Sequence, residues 1–216
     1  MSLSISAFLG KKTDDLDARF IQAFSHLGFE VQLHPELTLA KSSAEGILYL
    51  RISKTPSEFL RMEPGTPLLI ALEFGMQKRE KKEARSMSWP PRGVGAYSYT
   101  ASSRTAAGRS NSAATMQILS MAILAKESDG YFHADGEDVA SPGELALDRA
   151  VQEQHRFNRI NFDAYAYRFE SWPPIDGMTP FVWPKEIVPP ESLTKTIPKR
   201  RSQFRYKFSW LHLVRH

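Results

Sequence analysis

Apolar side chains near the N-terminus recur at the spacing of an amphipathic helix. The positions on this face are Leu16, Phe20, Ala23, Phe24 and Leu27. Thr13 stands where an N-cap is expected, and three aspartates follow it near the positive end of the helix dipole. Gly28 stands where a helix commonly ends in a left-handed residue. The pattern predicts a helix over residues 14–27.

A second helical pattern covers residues 111–127, in the stretch "NSAATMQILSMAILAKE". Its apolar residues lie almost all the way round the helix, which is typical of burial on several sides. We expect this to be the central helix of the fold, with Ile118 and Ile123 deep in the core.

Alternating or continuous apolar runs predict strands. The runs are "ISAF", "FEVQLH", "EGILYLRIS", "TPLLIALEFGM" and "DAYAYRFES". The fourth run is apolar on both faces, as an internal strand would be. The last run places Tyr165, Tyr167 and Phe169 on one face.

The segments between these runs are less regular. "PSEFLRM" fits one or two helical turns, and the charged "QKREKKEARS" predicts an exposed loop or a solvated helix end. Residues 87–110 are rich in Gly, Ser and Pro, which predicts a loop with a strand near "GAYSYT". "SPGE" at 141–144 has the pattern of a capping box and predicts a helix over 142–156. The expected inner face of that helix is Leu145, Ala146, Arg149 and Ala150.

The C-terminal part of the chain divides into two segments. Residues 172–191 are Pro-rich and predict extended backbone with little regular structure. "QFRYKFSWLHLV" predicts a basic C-terminal strand over 203–214, with Phe204, Tyr206 and Phe208 on one face. The order of all these elements predicts a single α+β domain over 1–216. We expect a mixed or antiparallel sheet packed against the buried central helix at about 111–127.

The composition narrows the class of protein. The chain has 216 residues and no cysteine, which excludes disulfides, thiolate zinc sites and cysteine nucleophiles and favours a reducing compartment. The N-terminus does not have the order of a signal peptide, and no apolar stretch reaches the roughly 18 residues of a membrane helix. A cytoplasmic protein with no membrane partner is the expectation.

The net charge of +4 is concentrated at the C-terminus, where seven Lys and Arg residues follow Thr194 without an acidic residue. This excess fits a nucleic acid, an acidic protein surface, or simply the solvated face of a strand. In the predicted strand the cations and the aromatics lie on opposite faces. A base-stacking platform needs both on one open face, so nucleic-acid binding is the lesser alternative.

Motifs of common enzymes and nucleotide-binding proteins are absent from the sequence. "GKKT" at 10–13 lacks the earlier glycine of a phosphate-binding loop, and "GVGAYS" lacks the third glycine of a dinucleotide fingerprint. No Gly-x-Ser-x-Gly elbow and no His-Glu-x-x-His pair occur. We therefore expect no catalytic, cofactor-binding or metal-binding set, and no cofactor.

Two arginines precede the central helix. Arg104 and Arg109 stand with Ser102, Ser103 and Ser110 just before residue 111. Free backbone N–H groups at a helix N-terminus attract anions, so one interpretation is an anion-binding loop. The alternative is a flexible loop with an N-cap. Separately, Arg104 and Arg109 are candidate partner-binding residues.

An acidic turn follows the central helix. It contains His133, Asp135, Glu137 and Asp138, in the stretch "DGYFHADGED". The spacing does not match a twelve-residue calcium loop. Gly130 can end the helix and the Asp135-Gly136 pair can turn the chain, so we expect a projecting loop that contacts a partner protein. A hydrolase that uses the carboxylates near 133–138 is the second alternative.

The chain as a whole resembles the small immunity proteins of bacterial polymorphic toxin systems, in particular immunity protein family fifty-two. The stretches behind this resemblance are "DARFIQAFSHLGFEV", "GRSNSAATMQILSMAILA" and "DGYFHADGE". The resemblance implies a non-enzymatic cytoplasmic protein that neutralises a cognate antibacterial toxin, in the context of type VI secretion. The toxins beside this family are of a restriction-endonuclease-like type, which implies a nuclease as the partner.

The high pI of the chain does not fit one common mode of nuclease inhibition. An inhibitor that mimics nucleic acid is acidic, whereas this chain has a pI of about 9.3. The chain is therefore expected to cover or distort the toxin's site, or to bind an acidic catalytic cluster through its own arginines. Of these, steric occlusion across an interface of about 1,600 Å² in total is the main expectation.

Overall fold

The computed structural model describes residues 3–40, 45–79, 97, 99–105, 109–156, 160–175 and 184–188. The helices in this part of the chain are α1 (Leu16–His26), α2 (Asn111–Glu127) and α3 (Gly143–Arg156). The strands are β1 (Leu3–Leu9), β2 (Glu30–Leu33), β3 (Glu45–Lys54), β4 (Leu60–Arg61), β5 (Leu68–Lys78), β6 (Tyr99–Thr105), β7 (Tyr131–Ala134), β8 (Ser141–Pro142), β9 (Ile160–Asn161) and β10 (Tyr167–Arg168).

Most of the strands form one antiparallel sheet, in the order β2-β3-β5-β6-β1-β7-β8. β10 adds to the start of β5, where Tyr167 lies opposite Leu69. β4 and β9 form a separate parallel pair. The α+β class predicted from the sequence is confirmed, and β5 is an internal strand as its apolar pattern predicted.

The alternation of side chains along each strand separates an inner face, which faces α2, from an outer face. On β1 the inner residues Ile5, Ala7 and Leu9 belong to the main core cluster. α2 crosses this inner face and contacts β1, β5, β6 and β7, while α1 and α3 pack beside it. The helix occupies the residues that the sequence predicted. Ile123 is fully buried, but Ile118 is only partly buried at the margin of the core.

α1 starts two residues later than predicted, because Asp15 and not Thr13 is its N-cap residue, with no side-chain capping bond. It ends at His26, one residue before the predicted end, and Gly28 takes the left-handed conformation that the sequence predicted. Gly28 has a φ of +84° and donates its N–H to the Ser25 carbonyl at 2.9 Å. The amide of Phe29 donates to the Phe24 carbonyl at 3.0 Å, and the two rings meet edge to face. These contacts form a Schellman motif, in which a left-handed residue allows the last carbonyls to be paired.

α2 ends in a second Schellman motif, but its left-handed residue is Asp129 at φ +51° and not the expected Gly130. The Asp129 amide donates to the Lys126 carbonyl, and the Gly130 amide donates to the Ala125 carbonyl at 2.7 Å. Gly130 has a different role. A Cβ placed there would lie 1.9 Å from the Phe8 carbonyl oxygen, so the chain crosses β1 too closely for any side chain.

The capping-box prediction at 141–144 is wrong. Ser141 and Pro142 pair with β7 as a short strand, which holds Ser141 extended and moves the helix start to Gly143. The Ser141 hydroxyl accepts a bond from Arg149 at 3.4 Å, and Glu144 forms an ion pair with Lys126. The predicted inner face also needs one correction, because Leu147 is buried whereas Leu145 is 43% exposed.

The structures of two other segments differ from those that their sequence patterns predict. The segment 56–62 contains a single hydrogen-bonded turn, in which the Leu60 amide donates to the Pro56 carbonyl at 3.0 Å, and β4 follows directly at Leu60–Arg61. In "DAYAYRFES" only Tyr167–Arg168 is a strand. Tyr165 is exposed with a φ of +60°, while Ala166 is buried, so the backbone breaks the alternation that the sequence suggested.

Several predictions lie outside the described residues. They include most of the charged loop at 77–86, the basic C-terminal strand at 203–214 and the lysines and arginines after Thr194. The Pro-rich segment 172–191 is described only at 172–175 and 184–188. Within the described residues, no helix has the length and apolar character needed to cross a membrane.

Candidate partner-binding face

Four exposed residues lie in one row across the outer face of the sheet. Glu73 on β5 is opposite Arg104 on β6, and Arg104 is opposite Ser4 on β1. Asp135, just beyond β7, continues the row, because its amide donates to the Ser4 carbonyl at 2.9 Å. All four residues are exposed. We call Glu73, Arg104, Ser4 and Asp135 the outer row. Its charged side chains alternate in sign across the strands.

Arg104 belongs to the outer row because its neighbours face the core. Ser103 and Thr105 are buried, and the Thr105 hydroxyl donates to the side chain of Gln117 on α2. In a strand the intervening residue points to the opposite face. The sequence interpretation of 102–104 as part of a loop before the helix is therefore wrong, because the strand near "GAYSYT" continues to Thr105.

The strand also separates the groups of the predicted anion site. Ser102 and Arg104 are exposed, whereas Ser103 is buried. Ser110 caps α2 itself, since its hydroxyl accepts from the Ala113 amide at 3.1 Å and bonds the Ser112 hydroxyl at 2.8 Å. Arg109 is half-buried directly before this cap, at the start of the helix that packs against the inner face. Arg104 and Arg109 thus belong to different layers of the fold.

His133 lies on β7 opposite Ser6, one step along the strands from the outer row. Its ring is half-buried, and its Nε2 lies 2.9 Å from the backbone oxygen of Glu137. This contact links the two ends of the acidic turn. Gly136, at φ +90°, takes the left-handed conformation that the Asp135-Gly136 pair predicted.

Glu137 folds back towards the body of the protein instead of projecting. Its Oε2 accepts a hydrogen bond from the Ala134 amide at 3.0 Å. Burial raises the pKa of the Glu137 carboxyl, and the Ala134 hydrogen bond, His133 and Arg149 oppose that rise. Glu137 therefore stabilises the turn, which differs from the expectation that all the acidic side chains of the turn project outwards.

The remaining residues of the turn are directed to solvent. Asp135 and Asp138 are exposed, and Val139 is 63% exposed. Among the residues that the structure describes, the side chains of Arg104, Asp135 and Asp138 make no ion pair or hydrogen bond. In this part of the chain the site therefore offers an exposed cation and two exposed carboxylates, beside a turn that is held in shape by His133 and Glu137.

This face presents charged and hydrogen-bonding side chains to solvent. His133 and Glu137 are neighbours, but both are engaged in holding the turn. No group of three His, Asp or Glu side chains is placed to hold a metal ion in the described parts of the chain.

Sequence reasoning missed the hydrogen bonds that His34 makes on the outer face of the sheet. His34 is buried after β2, where its Nδ1 accepts from the Glu36 amide at 3.1 Å. Its Nε2 therefore carries the proton and donates to the Pro173 carbonyl at 2.8 Å. The ring also packs edge to face on Trp172. This contact attaches the start of the Pro-rich segment to the sheet, and a lone histidine at the end of a strand gives no signal of it.

The fold and the outer row define an α+β protein with a charged, exposed sheet face beside an ordered acidic turn. No family model matches the chain, and no curated protein or solved structure matches it either.

Proposed function

We propose that this chain is a non-enzymatic immunity protein, which binds a cognate antibacterial toxin in the cytoplasm and neutralises it by steric occlusion. The observation that supports this most is the set of exposed charges on the outer row and the acidic turn. Arg104, Asp135 and Asp138 are exposed and have no partner within the described residues. Charges of both signs on one face favour a protein surface over a uniformly charged polymer.

The ordered turn supports binding by reducing its entropic cost. A flexible loop loses conformational freedom when it meets a partner, and this loss weakens the complex. The bonds of Glu137 to Ala134 and of His133 to the Glu137 carbonyl hold Asp135 and Asp138 before the partner arrives. The two carboxylates are thus preorganised for cations on the toxin.

In this mechanism the protein covers the toxin's active site and takes no part in chemistry. The exposed charges set the rate of encounter and the orientation, and the surrounding contact area excludes the toxin's substrate. If the toxin is a nuclease, its nucleic-acid-binding surface supplies lysines and arginines, which pair with Asp135 and Asp138.

The proposal expects a toxin gene beside the gene of this chain, and the test uses the product of that gene. The double variant Asp135→Asn/Asp138→Asn removes two negative charges and leaves Glu137 in place. The matched control is Glu36→Gln/Asp148→Asn, which removes the same charge at two other exposed positions. We expect the first pair to weaken the complex about tenfold, mostly through slower association and with less dependence on salt.

The expected result for the control is unchanged affinity. If both double variants bind the toxin as tightly as the parent chain does, the acidic turn is not part of the interface. Failure of the parent chain to bind the toxin or to protect cells from it would reject the immunity function itself.

A further inference from the structure

A cavity of about 200 Å³ lies on the helical side of the fold, away from the outer row. It is enclosed by the end of α1, the turn before β4, the middle of α2 and the last turns of α3. The residues that line it are His26, Leu27, Phe29, Glu58, Phe59, Leu119, Val151, Gln154 and His155. We call it the helical cavity.

The deep part of the helical cavity is apolar and aromatic. Phe29, Phe59 and Leu119 are buried, and the Phe59 ring lies 4.1 Å from the ring of His155. His26, Glu58 and His155 are exposed and mark its opening to solvent. Apolar walls with a polar opening are typical of sites that bind small molecules.

One buried polar group faces this cavity. Gln154 is only 6% exposed, and its Oε1 accepts a hydrogen bond from the Thr115 hydroxyl at 2.9 Å. This bond orients the amide, so its nitrogen points away from Thr115. The Gln154 Nε2 makes no hydrogen bond within the described residues. Because Gln154 lines the helical cavity, this donor is available to an acceptor on a molecule bound there.

We propose that the helical cavity binds a small uncharged aromatic molecule, which presents a hydrogen-bond acceptor to the Gln154 amide. The ring packs against Phe29, Phe59 and Leu119, and a carbonyl or ring nitrogen accepts from Nε2. The size of the cavity sets an upper limit of about one ring with a short substituent, since a cavity of about 150 Å³ holds benzene. This binding site shares no residue with the outer row or the acidic turn.

The experiment uses two probes of the same shape. Acetophenone carries a carbonyl oxygen where α-methylstyrene carries a CH₂ group. Binding is measured from NMR shifts of the Leu119 and Val151 methyl groups. We expect acetophenone to bind with a dissociation constant on the order of 0.1–1 mM and about tenfold more tightly than α-methylstyrene.

Two variants test the assignment to these residues. Val151→Phe fills the cavity from a partly buried position and should abolish the binding of both probes. Gln154→Met keeps the side-chain length and removes the donor, so it should equalise the two probes. The unfolding temperature of each variant shows whether it folds, and the comparison of the two probes on the parent chain does not depend on either variant.

The proposal is overturned if neither probe shifts the methyl signals at about 5 mM, well above the expected dissociation constant. Equal binding of the two probes by the parent chain would also overturn it, because Gln154 would then recognise nothing.

Discussion

Gln117 on α2 and Thr105 on β6 form a hydrogen bond of 2.7 Å in a region where Gln117 is completely buried. The Thr105 hydroxyl donates to Oε1, and Nε2 donates to the carbonyls of Leu3 and Ser103, each at 3.1 Å. Three hydrogen bonds thus connect the central helix to the ends of β1 and β6. A buried amide with all its groups paired specifies one position of the helix on the sheet.

We expect Gln117→Leu to lower the free energy of unfolding by about 2–4 kcal/mol, although leucine is the more apolar residue. The change removes the three hydrogen bonds of the Gln117 amide and leaves the buried Thr105 hydroxyl without its acceptor. Urea unfolding of Gln117→Leu, Thr105→Val and the double variant measures the coupling between the two side chains. A double variant as unstable as the sum of the single ones would show that the bond contributes nothing.

A second prediction concerns the two isoleucines of α2. Ile123→Ala should lower the free energy of unfolding by about 2–5 kcal/mol, because Ile123 is fully buried and its truncation leaves a cavity. Ile118→Ala should have a clearly smaller effect, since Ile118 is only partly buried. Chemical denaturation of both variants decides this, and a larger loss for Ile118 would contradict the packing of α2.

These residues show which parts of the fold can be predicted from the sequence and which cannot. The bounds of α2 follow from local signals, because a serine cap and a continuous apolar run act within a few residues. Arg104 was misplaced, because small polar residues in "YTASSRT" resemble a loop until pairing with β1 and β5 defines a strand. Gln117 was overlooked for a related reason. Its partners come from β1 and β6, and only the folded topology brings them to the helix.

In the candidate site, too, local features could be predicted from the sequence and long-range contacts could not. The turn at Asp135-Gly136 was predictable, since Gly136 needs a positive φ. The inward fold of Glu137 was not, because its hydrogen-bond donor is a backbone amide on β7 and because Arg149 on α3 acts on its carboxyl through space. The alignment of Asp135 with Arg104 and Glu73 depends on strand register, which is set by the whole sheet.

Glu137 leads to a prediction about pH. Its pKa in the folded protein is above its ordinary value, so the folded state binds this proton more tightly than the unfolded state does. The stability that Glu137 contributes is therefore fully present below the ordinary pKa of glutamate. It is lost as the pH rises through the folded pKa.

Glu137→Gln should accordingly raise the unfolding temperature at neutral pH, because the amide oxygen still accepts from the Ala134 N–H and no charge is buried. The gain should shrink towards zero as the pH falls below the ordinary pKa of glutamate. Thermal unfolding of the parent and the variant over this pH range gives the answer. A gain that is independent of pH would exclude titration of Glu137 as its cause.

The last prediction compares three glycines that differ in what surrounds them. A methyl group added at Gly46 on β3 would have no other atom within 4 Å, and the backbone at Gly46 has no positive φ. Gly46→Ala should therefore be neutral or should stabilise the fold by up to about 1 kcal/mol. Gly28 has a φ of +84°, and a Cβ there meets Pro56 only at 3.4 Å, so Gly28→Ala should cost about 1–2 kcal/mol through backbone strain. Gly130→Ala should cost more than about 3 kcal/mol or prevent folding, since the new methyl group would overlap the Phe8 carbonyl oxygen and force β1 away from the end of α2.

Urea unfolding of the three variants should therefore rank them Gly46, Gly28, Gly130 in order of increasing loss of unfolding free energy. A Gly130→Ala variant as stable as Gly46→Ala would show that the chain does not cross β1 as closely as the structure places it.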